Sequence, residues 1–274
     1  MKAFLTLLLA ALVSGLCLAQ TPVGPPTSGT VQAPVATPKP ARMPPPAVSS
    51  VPPKTPPNQP ETRNAGWERR ALANIAIASA QASTIDVVFD GDSITDFWGR
   101  AGIKVWTTFA KYHPYDFAIS GDTTQNLLWR LAHGQAQGLH PKVILLMIGT
   151  NDMKYTSSPQ EIADGVAEII NEYRKICPDA VIILQAIFPR AASPTDPYRL
   201  KVNATNPLLA KLGDNSRVIY TDFGAKFLAP DGTLSRDIMP DRLHPSEKGY
   251  QIWADSISPL LEKYAGTQPP SAQQ

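Results

Sequence analysis

Ser93 stands in the stretch Asp90-Gly91-Asp92-Ser93-Ile94-Thr95, directly behind the β-branched run Ile85–Phe89. A strand that ends in a glycine turn presents the next side chain at the sheet edge. A helix starting there would set Ser93 beside free backbone amides, which favour negative charge. That geometry suits a nucleophile, because the same amides can stabilise the oxyanion of acyl transfer. Taken alone, Ser93 reads more readily as a helix N-cap.

Three further clusters have the same character. Ser120-Gly121-Asp122-Thr123-Thr124 follows the run Asp116–Ile119, and Gly121 lets a backbone amide approach a ligand closely. Gly149-Thr150-Asn151-Asp152 follows Val143–Ile148, and Asn151 can donate a side-chain N–H into the same region. Each of these also reads as a plain turn or cap. The fourth cluster, Asp241-Arg242-Leu243-His244-Pro245, precedes the last helical segment. His244 suits a general base near neutral pH, and a carboxylate three residues earlier can fix its tautomer. The remaining histidines, His113, His133 and His140, have no carboxylate at comparable spacing and read as structural or solvated. Asp92, Asp122 and Asp152 read as loop organisers. Trp98 and Arg190 are candidate substrate contacts, with packing the default for Trp98.

The elements that must position these residues alternate in type. Strand-like runs occur at Ile85–Phe89, Asp116–Ile119, Val143–Ile148, Ala180–Gln185 and Arg217–Tyr220. Helical spacing occupies Trp67–Ser79, Thr124–Ala132, Pro159–Ile176, Tyr198–Leu212 and Ser246–Tyr264. Alternation of this kind predicts an α/β fold with a parallel sheet. The unbroken apolar runs VILLMI and AVIIL predict strands covered on both faces. In open sheets of this type, ligands bind beyond the carboxyl ends of the strands, where the first three clusters lie.

The chain has 274 residues, 43% of them apolar, with 25 basic and 23 acidic residues and a formal net charge of +2. That balance lacks the positive field of a nucleic-acid binder and excludes that class. Residues 1–19 read as a signal peptide, with Lys2, an apolar run at residues 4–13 and cleavage after Ala19. An uncleaved anchor and lipidation at Cys17 are the alternatives. Export to the periplasm or the extracellular space follows from the first reading. Residues 20–60 hold fourteen of the twenty-eight prolines and predict a disordered, extended linker. The catalytic domain is expected over residues 61–265, and residues 266–274 as a disordered tail. With the leader removed, Cys177 is the single cysteine, so no internal disulfide can form, and it reads as a buried structural thiol.

The four clusters together resemble the signature blocks of SGNH (GDSL-like) hydrolases: GDSIT, SGDTTQNLLWRL, IGTND and DRLHP. Leu128–Leu131 (LWRL), the IGTN block and Phe188-Pro189-Arg190 are most similar to the platelet-activating-factor acetylhydrolase catalytic-subunit branch and its bacterial relatives. Asp116 stands where many relatives carry Asn, and Ala132-His133-Gly134-Gln135 replaces the Asn-Gly-Glu of the mammalian-type subunits. The resemblance implies a flavodoxin-like three-layer α/β/α sandwich with a five-stranded parallel sheet. It implies Ser93 as nucleophile, His244 as base and Asp241 as its orienting carboxylate. The oxyanion donors would be the Ser93 and Gly121 amides and the Asn151 side chain. Such chemistry calls for no metal and no cofactor. The substrate would be a small-molecule, carbohydrate or lipid ester, with membrane contact only through an uncleaved leader or a lipid substrate. A secreted deacetylase, a lipid-active esterase and a non-catalytic binding module on the same fold are the three functions in contention. The sequence leaves the oligomeric state open.

Overall fold

The computed structural model describes residues 55–155 and 157–266. The expected signal peptide (1–19), nearly all of the expected linker (20–60) and all but the first residue of the expected tail lie outside the described residues.

Five strands form one parallel sheet in the order β2-β1-β3-β4-β5: β1 Val87–Gly91, β2 Pro114–Asp116, β3 Val143–Met147, β4 Val181–Gln185 and β5 Val218–Thr221. Strand side chains alternate between two cores. Val88, Ile144, Leu146, Ile182 and Leu184 face one, and Val87, Phe89, Val143, Leu145 and Ile183 face the other. Both faces are buried, which is why these strands carry no polar alternation. Helices α4 Thr124–Ala132, α5 Pro159–Ile176 and α6 Pro197–Ala210 cover the first face. The second is covered by α2 Ser93–Asp96, α3 Ile103–Trp106 and α7 Glu247–Ala265. The fold is the expected three-layer α/β/α sandwich.

Local chemistry sets the helix starts. Ser158 caps α5, Pro159 occupies its first turn and Glu161 closes a capping box with Ser158. Asp196 followed by Pro197 opens α6, and Ser246 caps α7. The first helix, α1 Ala65–Ala80, is capped by Asn64, whose side chain accepts from the amides of Gly66 and Trp67.

Some boundaries differ from expectation. β1 runs two residues further, through Asp90 and Gly91, because its ladder with β3 continues to Leu146 and Met147. β2 ends at Asp116 rather than starting there. Beyond it the Phe117 and Ile119 amides still donate to the Phe89 and Gly91 carbonyls, while the outward-facing Ala118 amide turns back to the Asp116 carboxylate at 2.9 Å. A helix does start at Ser93, with Asp92 rather than Ser93 as its cap, and residues 97–112, for which no regular element is expected, form α3 and 3-10 turns at Phe97–Gly99 and Thr107–Tyr112. The expected linker also ends earlier than residue 60. Pro57 is buried, the Glu61 amide donates to the Gln125 carbonyl, and the Gln125 side chain donates to the Thr55 carbonyl. A Cβ on Gly165 would stand 2.6 Å from the Pro57 carbonyl oxygen, so the missing side chain on α5 lets this segment dock.

One polar cluster runs through the first core. Arg130 of α4, fully buried, donates to Asp90 at 2.9 Å and to Asp122 at 2.9 Å, and also contacts Gln135 and the Phe117 carbonyl. Asp90 further accepts from Tyr173 of α5. Replacing Arg130 with Met would leave two buried carboxylates without their cation. We expect Arg130→Met to lose about 3–5 kcal/mol of unfolding free energy in a urea titration, or to abolish the cooperative transition.

Candidate active site

Three of the four clusters meet at the carboxyl edge of the sheet, where the chain passes from β1 out to β2 and back across to β3. Such a reversal opens a crevice between neighbouring loops. Ser93 opens α2 behind β1, Gly121 follows β2, and Asn151 follows β3. The fourth cluster reaches the same edge from the turn before α7.

The Ser93 Oγ lies 2.8 Å from the His244 Nε2, and the His244 Nδ1 lies 2.6 Å from the Asp241 Oδ2. Arg242 adopts a left-handed φ of 65°, which turns the chain so that Asp241 can also accept from the amides of Leu243 and His244 at 3.0 and 2.8 Å. Burial acts to raise the Asp241 carboxyl. The His244 amide and imidazole and the Leu243 amide outweigh it and hold the group below the usual carboxylate range. An ionised Asp241 fixes the imidazole with its proton on Nδ1 and the Nε2 lone pair toward Ser93.

Two backbone donors are left open beside Ser93. Among the described residues, neither the Ser93 nor the Gly121 N–H donates to a protein acceptor. Gly121 has a φ of +84°, which an L side chain rarely adopts. The Asn151 side chain is oriented by its Nδ2 donation to the Asp122 carbonyl at 2.9 Å, and one N–H remains for another acceptor.

The three aspartates around the site act as organisers. Asp92 caps α2 by accepting from the Ile94 amide, and Asp152 accepts from the Thr124 amide and hydroxyl. Asp122 accepts from the indole of Trp67 and from Arg130. Trp98 is fully buried against Phe89, Tyr250 and Trp253, as its packing default predicts. Cys177 is a buried free thiol whose pKa burial pushes up to about 11. His113 pairs with Asp86 at 3.1 Å on the amino edge of the sheet, away from Ser93.

Several features had no sequence signal. Phe97 stacks on the His244 ring, with centroids 4.7 Å apart and planes 25° from parallel. The Tyr250 hydroxyl donates to the Ile94 carbonyl at 2.6 Å and ties α7 to the short helix that carries Ser93. Arg63, from the segment before α1, donates to the Ser120 carbonyl at 3.0 Å and lies over Gly121. Only three-dimensional placement of these long side chains reveals them.

A family model described as "GDSL-like Lipase/Acylhydrolase family" matches residues 89–252. The chain belongs to this family. It is an acylhydrolase acting on carboxylic esters. The chain is 31% identical over 187 residues to the platelet-activating factor acetylhydrolase IB subunit alpha1 of Rattus norvegicus, covering 68% of this chain and 78% of that one. It is 35% identical over 179 residues to the alpha2 subunit from the same organism, with 65% and 75% covered. Among solved structures it is similar to a GDSL-like lipase from Bacteroides thetaiotaomicron, at 22% identity, a TM-score of 0.59, and coverage of 72% and 97%. The fold of this acylhydrolase is thus shared even where sequence identity is low.

Burial raises Asp92 from 3.8 to about 7, against the Ile94 amide, and raises Asp152 and Asp122 to about 6. A carboxyl with a raised folded value holds its proton more tightly in the folded chain. Its ionisation therefore costs stability as pH climbs from the unfolded toward the folded value. The carboxyls held low, Asp241 among them, titrate below that window. We expect unfolding free energy to fall between about pH 4 and pH 7. Asp92→Asn, which keeps the cap acceptor, should flatten that slope in urea titrations across the range.

Proposed function

We propose that the acylhydrolase is an exported serine esterase that cleaves short-acyl esters, acetyl above all, from carbohydrates or small molecules through Ser93, His244 and Asp241. The observation that carries this reading is the continuous relay from the Ser93 Oγ through the two imidazole nitrogens to the Asp241 carboxylate, at 2.8 and 2.6 Å.

In this mechanism His244 Nε2 takes the Ser93 proton as Oγ attacks the ester carbonyl carbon. The carbonyl oxygen becomes an oxyanion held by the Ser93 and Gly121 amides and by Asn151. Collapse of the tetrahedral intermediate breaks the bond to the alcohol oxygen, which receives the proton from His244. The acyl group remains on Ser93. Water then enters, gives its proton to His244 and attacks the acyl-enzyme, and collapse returns the proton to Ser93 Oγ and frees the acid. Asp241 stays ionised throughout and stabilises the imidazolium. The stack on Phe97 limits ring rotation, so each transfer starts from a set imidazole plane.

Export rests on the leader-like residues 1–19 and the proline-rich stretch after them. In this reading the leader is removed, residues 20–54 tether the catalytic domain, and the short tail extends from α7. A second reading, an acetyl ester carried on a phospholipid, is favoured by the more than 30% identity to platelet-activating factor acetylhydrolase subunits.

Ser93→Ala should remove hydrolysis of p-nitrophenyl acetate while leaving the thermal midpoint nearly unchanged; retained turnover in the purified variant would sink the nucleophile assignment. Asn151→Ala should lower kcat on the order of a hundredfold or more and move KM far less. A chain-length series of p-nitrophenyl esters, run beside acetylated xylan and an acetylated phospholipid, separates the two substrate readings. Export predicts that the mature protein recovered outside the cytoplasm begins at Gln20, which N-terminal sequencing reads directly.

A further inference from the structure

Cations gather around the oxyanion corner in excess of what neutral ester chemistry requires. Arg190 follows β4 and is only 6% exposed. Its Nη1 donates to the Thr150 carbonyl at 2.8 Å and to the Thr150 hydroxyl at 3.1 Å, and its guanidinium lies 4.4 Å from the centre of the Tyr198 ring. Thr150 is the residue before Asn151. The next residue, Ala191, donates its amide to the Arg242 carbonyl at 2.8 Å, inside the Asp241–His244 turn. Arg190 is thereby wedged between the oxyanion side of the site and the turn that carries the base.

Among the described residues no carboxylate lies within ion-pair distance of Arg190, and its Nε and Nη2 donate to no protein acceptor. A nearly buried guanidinium without a counter-ion is costly. The Tyr198 face offsets part of that cost, and two donor nitrogens are left over.

Two more cations stand close by. Arg63 lies over Gly121, where its Nη2 would sit 2.9 Å from a Cβ, and it shares Asp122 with the fully buried Arg130. Lys154 is at the surface just beyond Asn151; partial burial, then the charge of Arg190, holds its ammonium below the usual value. The carboxylates that act on Arg190 are Asp92, Asp196 and Asp241, none of them at ion-pair distance, and burial raises Asp92 to about 7.

We propose that Arg190, assisted by Lys154 and Arg63, binds an anionic group, a carboxylate or a phosphate, on the alcohol portion of the ester. This rests on the serine esterase reading above, since a short acyl group carries no charge and the anion must ride on the leaving alcohol. A guanidinium with two free N–H groups matches the paired oxygens of either anion.

The test compares 3- and 4-acetoxybenzoate with the corresponding neutral acetoxybenzamides, and adds 4-acetoxyphenyl phosphate to separate phosphate from carboxylate. The readout is the ratio of kcat/KM for each anionic ester to its neutral counterpart. We expect a ratio of about ten or more for at least one anion, in line with a charge-assisted contact, and its decline at high salt. Arg190→Gln should bring the ratio to near one, with Arg190→Lys in between. A purely structural role, or one on the oxyanion, would lower both members of a pair equally and leave the ratio unmoved. If Arg190→Gln does not fold, Lys154→Met should still reduce the ratio. Ratios near one for every pair in the wild type would overturn the proposal. If the wild type hydrolysed none of these esters, the serine esterase reading would fail instead. Calorimetric titration of the Ser93→Ala protein with 4-acetoxybenzoate and its amide then decides the anion site independently of turnover: tighter binding of the anion supports it, equal binding rejects it.

Discussion

The guanidinium of Arg130 is the interaction on which the site depends. It sits in the dry layer between sheet and helices and binds the carboxylates of Asp90 and Asp122 together. Asp90 belongs to the strand that leads into Ser93, and Asp122 to the loop that holds Gly121. One side chain from α4 thus fixes the distance between the strand that leads into Ser93 and the neighbouring open amide. Asp122 extends the linkage, because its carbonyl orients Asn151 and its carboxylate receives Trp67 of α1. A hydrophobic replacement could fill the same volume, but nothing apolar would hold two loops in register by direction as well as by distance.

The opposite face anchors the site differently. Trp98 packs tilted against Tyr250 and Trp253, which stack on each other, and the Tyr250 hydroxyl holds the Ile94 carbonyl. A helix as short as α2 has little stability of its own. Its position is set by this aromatic layer and by the Asp92 cap. The raised value of Asp92 is the consequence of burying that capping carboxyl, with Asp122 and Asp152 adding to the rise.

Much of this architecture was legible in the residues. The runs at β3 and β4 lack polar alternation because both faces are buried, and α5 announces its start with Ser158, Pro159 and Glu161. The pairing of Ser93 with His244 was legible only through the resemblance of four separated blocks, since no local pattern links residues so distant. The edge strand β2 was misplaced because three residues with one paired side leave little periodicity to read. The segment at residues 55–60 was expected as linker for its prolines; its docking depends on Gly165, on a helix over a hundred residues later. Phe97 under His244 and Arg63 over Gly121 were invisible for the same reason. Whether a long side chain points at a site is decided by packing, not by its neighbours in sequence.

The Ser93–His244 contact joins residues 151 positions apart, and its second half arrives on the turn before the last helix. Loop closure over that span must wait for the sheet to provide a surface on which α7 can dock. A chain emerging from synthesis could therefore assemble all five of its strands while Ser93 still lacks its imidazole partner. The hydrogen bond across the site is a late event by construction, and recovery of hydrolysis after denaturation would time the closing of the fold rather than its beginning.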